Sequence, residues 1–373
     1  MSGSIFVSAE NLKTKEAELA FIKGDIKAKC AAVEKCAAYG DYSLNLKAFD
    51  FLIENRAVLE TDDDAVQLLK TSVETLNENS NSEEISNRLC DIFKYFNSDE
   101  VKILTLNKLA FFSSSNSVSL INSYISEMIG KNVPLSDVGR SAIKSLKGNG
   151  NNTTFRLIFI ADVLNVWPQD RELLSEVWGP LANDCEKEII HVFSTVDMER
   201  KLDMIYLLKK NPDVSRKILG EIAENALSLA TYNIEDSSVI PSYQIKMQLE
   251  AVKIIAESQW TRSARQVTDF FSIVRSEYEH GYISDEDFAM AIADIAKVAS
   301  SETSVVLSQY LDFLNKKMEN REPPVQTVIL AVINALGGLG DKTAFDYLLY
   351  VTYLDYPEEV IAAAKNALSK LKW

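Results

Sequence analysis

The stretch Val328-Ile-Leu-Ala-Val-Ile-Asn-Ala-Leu-Gly-Gly-Leu-Gly-Asp341 decides the fold, because its first twelve residues recur 32 residues later as Val360 to Leu371. Val328, Ala331, Ala335, Leu336 and Leu339 match Val360, Ala363, Ala367, Leu368 and Leu371, at offsets of 0, 3, 7, 8 and 11. Those offsets place five side chains on one face of an α-helix. The small residues fall in the middle, where a neighbouring helix must approach closely.

A step of 40 residues back gives Phe288, Ala291, Ile295, Ala296 and Ala299, and a second gives Gln248, Ala251, Ile255, Ala256 and Gln259. Further upstream the template fits Val101, Leu104, Leu109 and Phe112, and less fully Ala28, Ala31, Cys36 and Tyr39, with Lys35 and Lys108 breaking the small-residue position. Val138 to Leu146 and Phe159 to Trp167 fit in part. Between Leu181 and Ala230 the helical pattern has no clear register.

Continued through Ala344 to Leu354 and Asp355-Tyr-Pro-Glu-Glu-Val360, the stretch resembles the HEAT repeat: first helix, Gly-Asp turn, second helix, Asp/Pro turn. The resemblance is specific from about Leu249 to Leu371. It departs from the family where Ile329 and Ile361 replace the usual arginine after the first-helix valine, although Lys102 follows Val101. It implies an all-α fold, a right-handed α-α superhelix (solenoid) of stacked helical hairpins. Residues 1–20 read as an N-terminal segment, 21–230 as irregular helical repeats and 240–373 as regular HEAT-like repeats, with a bend at Thr231 to Ser242. One helix pair exposes apolar surface on two sides, so several must stack together. Leu336, Leu348, Leu349 and Leu368 are the core candidates.

The punctuation fits these boundaries. Ser284 is an expected N-cap with Asp287 three residues on, and Ile283 with Phe288 a hydrophobic staple. Pro357 is expected in a first turn, followed by Glu358 and Glu359 at the positive end of the helix dipole. Breaks are expected at Asn77 to Glu84 and at Gly148 to Asn152.

The formal charge is −15 in 373 residues, with 47% hydrophobic content. Such a molecule repels phosphate backbones, which sets it against nucleic acid. Lys201, Lys209, Lys210, Lys316 and Lys317 read as solvated helix faces among acids. No stretch approaches the roughly 20 apolar residues that span a bilayer, so a soluble protein is expected. Val7-Ser8-Ala9 resembles a trimmed signal-peptide cleavage site without a charged region before it, which leaves cytoplasm and periplasm both open.

Catalytic and metal chemistry finds little material. The only histidines, His191 and His280, have no nucleophile or ligand at a diagnostic spacing. Cys30, Cys36, Cys90 and Cys185 lack metal-ligand spacing and read as buried free thiols. Gly337-Gly338-Leu339-Gly340 ends a helix, whereas a phosphate loop would open one. Asp62-Asp63-Asp64 and Ser284 to Asp287 read as helix starts rather than cation sites. Asn152-Thr-Thr154 has glycosylation spacing. No cofactor is expected.

The expected function is a protein-binding scaffold that holds another protein or a peptide segment on the concave face, which second helices line in the family it resembles. The alternative is an enzyme such as a lyase, since some HEAT-like proteins are lyases or DNA glycosylases, although no catalytic constellation is identifiable here. On the last second helix, Phe345, Leu348, Leu349 and Thr352 form the inward stripe, leaving Asp346, Tyr350 and Tyr353 outward. Steps of 40 residues add Tyr310 and Phe313, then Phe270 and Ile273. Phe270, Tyr310, Phe313, Tyr350 and Tyr353 therefore form the expected partner-binding strip; in the competing arrangement some of these rings pack between repeats.

Overall fold

The computed structural model describes residues 14–59, 62–77, 82–131, 133–232, 240–298, 300 and 302–372. Their regular structure is helical, apart from one isolated bridge between Asp341 and Lys372. The chain forms two compact units, Met1–Ile189 and Ile190–Trp373.

In the first unit, α1 covers 14–23, followed by α2 (Ile26–Ala37), α3 (Ser43–Glu54), the single turn α4 (Arg56–Leu59), α5 (Asp63–Glu74), α6 (Ser82–Tyr95) and α7 (Asp99–Leu109). Next come α8 (Ser115–Lys131), α9 (Asp137–Ser145), α10 (Asn152–Val163) and α11 (Arg171–Trp178). Two rows result, α2–α5–α7–α9–α11 and α3–α6–α8–α10, each helix packing on the next in its row and on a partner from the other.

The boundary between units falls within α12 (Glu186–Thr195). Beyond it lie α13 (Met198–Lys210), α14 (Arg216–Tyr232), α15 (Ser242–Glu257), α16 (Ala264–Glu279), α17 (Asp285–Lys297), α18 (Thr303–Glu319), α19 (Gln326–Leu339), α20 (Phe345–Val351) and α21 (Glu358–Ser369). The same two-row plan holds: α13–α15–α17–α19–α21 form one row, and α14, α16, α18 and α20 back it. No helix among the described residues is long and apolar enough to cross a membrane.

Local chemistry sets the helix ends. Asp25, Asp62, Ser136, Asp197 and Ser284 each accept a backbone N–H three residues on, and Asn151 with Thr154 forms a reciprocal capping box. Thr154, the hydroxyl residue of the glycosylation-like triplet, is fully buried in that box. Gly340 ends α19 at φ 65°, and the small residues before it let α21 come close: a Cβ on Gly337 would lie 2.9 Å from that of Ala367.

Several expectations need correction. The N-terminal segment drawn as 1–20 is helical from residue 14, and Ala17 and Phe21 belong to the core; Val7-Ser8-Ala9 lies outside the described residues. The two compact units divide at Ile189 and Ile190, and α14 and α15, which flank residues 233–239, pack extensively against each other. Leu336 and Leu348 are fully buried, whereas Leu349 and Leu368 are half-buried. On α2 the core face is Ala32, Val33 and Cys36, so Ala28 and Ala31 misplace its start. Pro357 is the N-cap of α21 and the first turn begins at Glu358. Cys30 is half-buried, the other cysteines buried, and none is disulfide-bonded.

Lys201 is also not a solvated lysine. It is 5% exposed, with Nζ donating to the carbonyl of Val196 and lying 5.5 Å from the Phe193 ring centroid. Burial lowers its pKa. Lys209, half-buried, bridges Glu250 at 2.6 Å and Glu257 at 3.2 Å.

Candidate functional site

The five expected binding residues separate into two groups. Phe270 is 1% and Tyr310 3% exposed, so both belong to the core, while Phe313 is half-buried. Tyr350 and Tyr353 are 39% and 75% exposed. The reason lies in the row. Both α16 and α20 meet α18, as in Arg275 over Tyr310 and Asn315 Nδ2 donating to the backbone carbonyl of Tyr347, so α18 buries more of its circumference. α20 is the last helix of its row among the described residues, and its outer face stays uncovered. A continuous strip of five open rings therefore does not exist.

Tyr310 instead anchors an aromatic cluster. Its ring meets Phe271 and Phe288 edge-on, with centroids 5.4 and 5.9 Å away, and stacks on Phe313 at 6.0 Å. Tyr278 stacks on Phe288 at 4.4 Å and donates its hydroxyl to Asp285 Oδ1 at 2.7 Å. These arrangements add to the burial energy of the rings.

Cations finish the cluster. Arg275 lies over Tyr310 and Phe313, 4.9 and 4.5 Å from their centroids, and its Nε donates to Glu279 at 2.8 Å. Lys317 Nζ sits 4.9 Å from the Phe313 centroid and forms no ion pair among the described residues. Ring faces stabilise both charges without neutralising them.

A cleft of about 230 Å³ opens beside this cluster, between the C-terminal halves of α16 and α18 and the turn from Glu322 to Val325. Tyr278, Tyr310, Phe313 and Leu314 line it together with Pro323, Pro324, Val325 and Val328. Lys317, Glu279 and Glu322 supply its charges. The Tyr310 hydroxyl makes no hydrogen bond among the described residues and is not fully sealed from solvent, and Tyr310 is one of the residues that line the cleft. Burial pushes the Tyr310 phenol well above its ordinary pKa, and it pushes that of Tyr278, with help from Asp285, up to about 12. Both rings are neutral hydrogen-bonding groups at physiological pH.

The sequence reading reached Tyr310 and Phe313 but missed Tyr278, Lys317 as a cleft residue, and the Glu322 to Val325 wall. The Pro323-Pro324 pair was the available signal, since it forces an extended turn that cannot continue a helix. Elsewhere His191 and His280 are exposed, the latter with Nδ1 2.7 Å from the Ser276 carbonyl. No group of three or more His, Cys, Asp or Glu converges among the described residues. No protein-family model matches the chain, and no curated protein matches it in sequence.

Proposed function

We propose that the chain is a protein-binding scaffold of HEAT type rather than an enzyme, and that the α16–α18 cleft is where it grips a partner. The observation that carries this reading is the pairing, in one cleft, of an apolar wall with two unused donors, the Tyr310 hydroxyl and the Lys317 ammonium. The volume is below the roughly 300–1,000 Å³ of sites that enclose a drug-sized molecule. It suits an anchor projecting from a larger partner, a few groups of which carry most of the binding energy. The net charge of −15 supports protein over nucleic acid as that partner.

The test is site-specific photocrosslinking in cells. A photoreactive phenylalanine analogue at Val325, which is 41% exposed on the cleft wall, should give a discrete protein adduct. The same analogue at Arg265, whose side chain is 86% exposed on α16, serves as the control. Equal labelling at both positions, or none at Val325, would refute the reading.

A further inference from the structure

We infer that the cleft recognises a proline-containing segment in the extended polyproline II conformation, an assignment that rests on the scaffold reading and narrows its partner. Three observations combine. The first is the lining: Tyr278, Tyr310 and Phe313 share one cleft with the apolar turn Pro323 to Val325. Rings of this kind receive the flat, rigid faces of pyrrolidine, and an already extended segment loses little entropy on docking.

The second is the sense of the hydrogen bonds. Two uncommitted groups can donate, the Tyr310 hydroxyl and Lys317 Nζ, and they match the solvated carbonyl oxygens of a polyproline II chain. The two carboxylates of the cleft, Glu279 and Glu322, are both exposed, and Glu279 is paired with Arg275. A peptide N–H turned toward the rings and the apolar turn Pro323 to Val325 would give up water for apolar surface. Proline has no N–H to strand.

The third is charge. Lys317 and Glu322 are of opposite sign, and Arg275 is offset by Glu279, so the cleft has no net field that would favour a strongly acidic or basic ligand. A neutral backbone with regularly spaced carbonyls is the complementary partner.

The experiment uses the full chain with labelled Leu and Val methyl groups, titrated with an acetylated and amidated nine-proline peptide. The comparison is an uncharged Gly/Ser peptide of equal length. Oligoproline should shift the methyl signals of Leu314, Val325 and Val328, and the Gly/Ser peptide should not. Y310F keeps the ring and removes the hydroxyl, and it should weaken oligoproline binding about fivefold, the equivalent of one hydrogen bond. Its melting temperature provides the folding control. Absence of the shifts, equal response to both peptides, or full affinity in Y310F would each overturn the proline assignment. Crosslinking from Val325 that persists in that case would leave the scaffold reading standing; oligoproline binding without any crosslink would do the reverse.

Discussion

Glu277 on α16 faces Gln248 on α15, and neither carboxyl oxygen of the glutamate nor the side-chain oxygen of the glutamine receives a hydrogen bond. The amide nitrogen of Gln248 is already committed to the Ala230 carbonyl at 3.0 Å, a site it shares with Gln244 at 2.7 Å. Glu277 is 2% exposed, and an ionised carboxylate there would lack a dedicated donor. Burial outweighs the opposing influence of Gln248 and pushes its pKa up to about 7. A protonated Glu277 has the proton that the free oxygen of Gln248 lacks.

This pair makes stability depend on pH. The folded protein holds the Glu277 proton above the ordinary glutamate value of 4.5, so its contribution is intact below that pH. It is lost as the pH rises toward about 7. E277Q supplies a permanently neutral donor. In urea unfolding at pH 8 the variant should be more stable than the wild type by on the order of 3 kcal/mol, and at pH 4.5 the two should coincide. Parallel stability profiles over that range would show that Glu277 ionises normally.

Lys108 tests a different kind of burial. Its Nζ donates to the Leu76 carbonyl at 2.7 Å and the Glu74 carbonyl at 3.2 Å, satisfying acceptors at the C-terminal end of α5. Burial lowers its pKa. K108M retains the aliphatic stem and should cost about 1–2 kcal/mol by chemical unfolding, as expected for orphaned carbonyls. K35M, which loses only an exposed 3.6 Å contact with Glu16, should stay within about 0.5 kcal/mol of the wild type. Equal effects would remove the capping role from Lys108.

Lys108 also shows where sequence reasoning stops. The repeat template treated Lys35 and Lys108 alike, as breaks in a small-residue position, because local spacing records a residue's face but not what lies a helix away. The helical character and the caps at Asp62 and Ser284 were legible, since each follows from a few adjacent residues, whereas Gly337 reads only as a helix end and its close approach to Ala367 does not show. Packing of some rings between repeats was the competing arrangement, but that Tyr310 is one of them was not legible. Its burial depends on Phe271 and Phe288, from two other helices, and a fixed 40-residue step cannot register helices whose starts are spaced unequally. Glu277 was invisible for the same reason: its burial depends on a neighbouring helix, α15, and not on the residues beside it.

In the first unit, Asp162 is a fully buried carboxylate held by two donors from one neighbouring segment: Arg171 Nε at 2.9 Å and Trp178 Nε1 at 2.9 Å. D162A leaves the buried indole N–H of Trp178 without an acceptor, while Arg171, with a side chain 42% exposed, regains water. The cost should be about 3 kcal/mol, with D162N falling between it and the wild type because its amide oxygen still accepts from Trp178. Differential scanning calorimetry on the three proteins orders them. An unaltered D162A would mean that the carboxylate offsets no more than its own desolvation.

The last prediction separates the two kinds of tyrosine that the sequence grouped together. Tyr310 is enclosed by Phe271, Phe288 and Phe313 and covered by Arg275, so Y310S opens a cavity among four partners. Large-to-small changes of aromatic core residues cost about 3–5 kcal/mol, and this one should fall in that range. Tyr353, at 75% exposure, has little packing to lose, and Y353S should change stability by no more than about 0.5 kcal/mol. Tyr350 is intermediate in contact but not in energy. Its hydroxyl donates to Glu319 at an exposed site, a bond that water replaces readily, so Y350S should behave like Y353S. Urea midpoints of the three single variants settle the order. A Y310S protein as stable as the other two would mean that the aromatic cluster does not hold α16, α17 and α18 together, and the cleft built on its edge would lose its rigid wall.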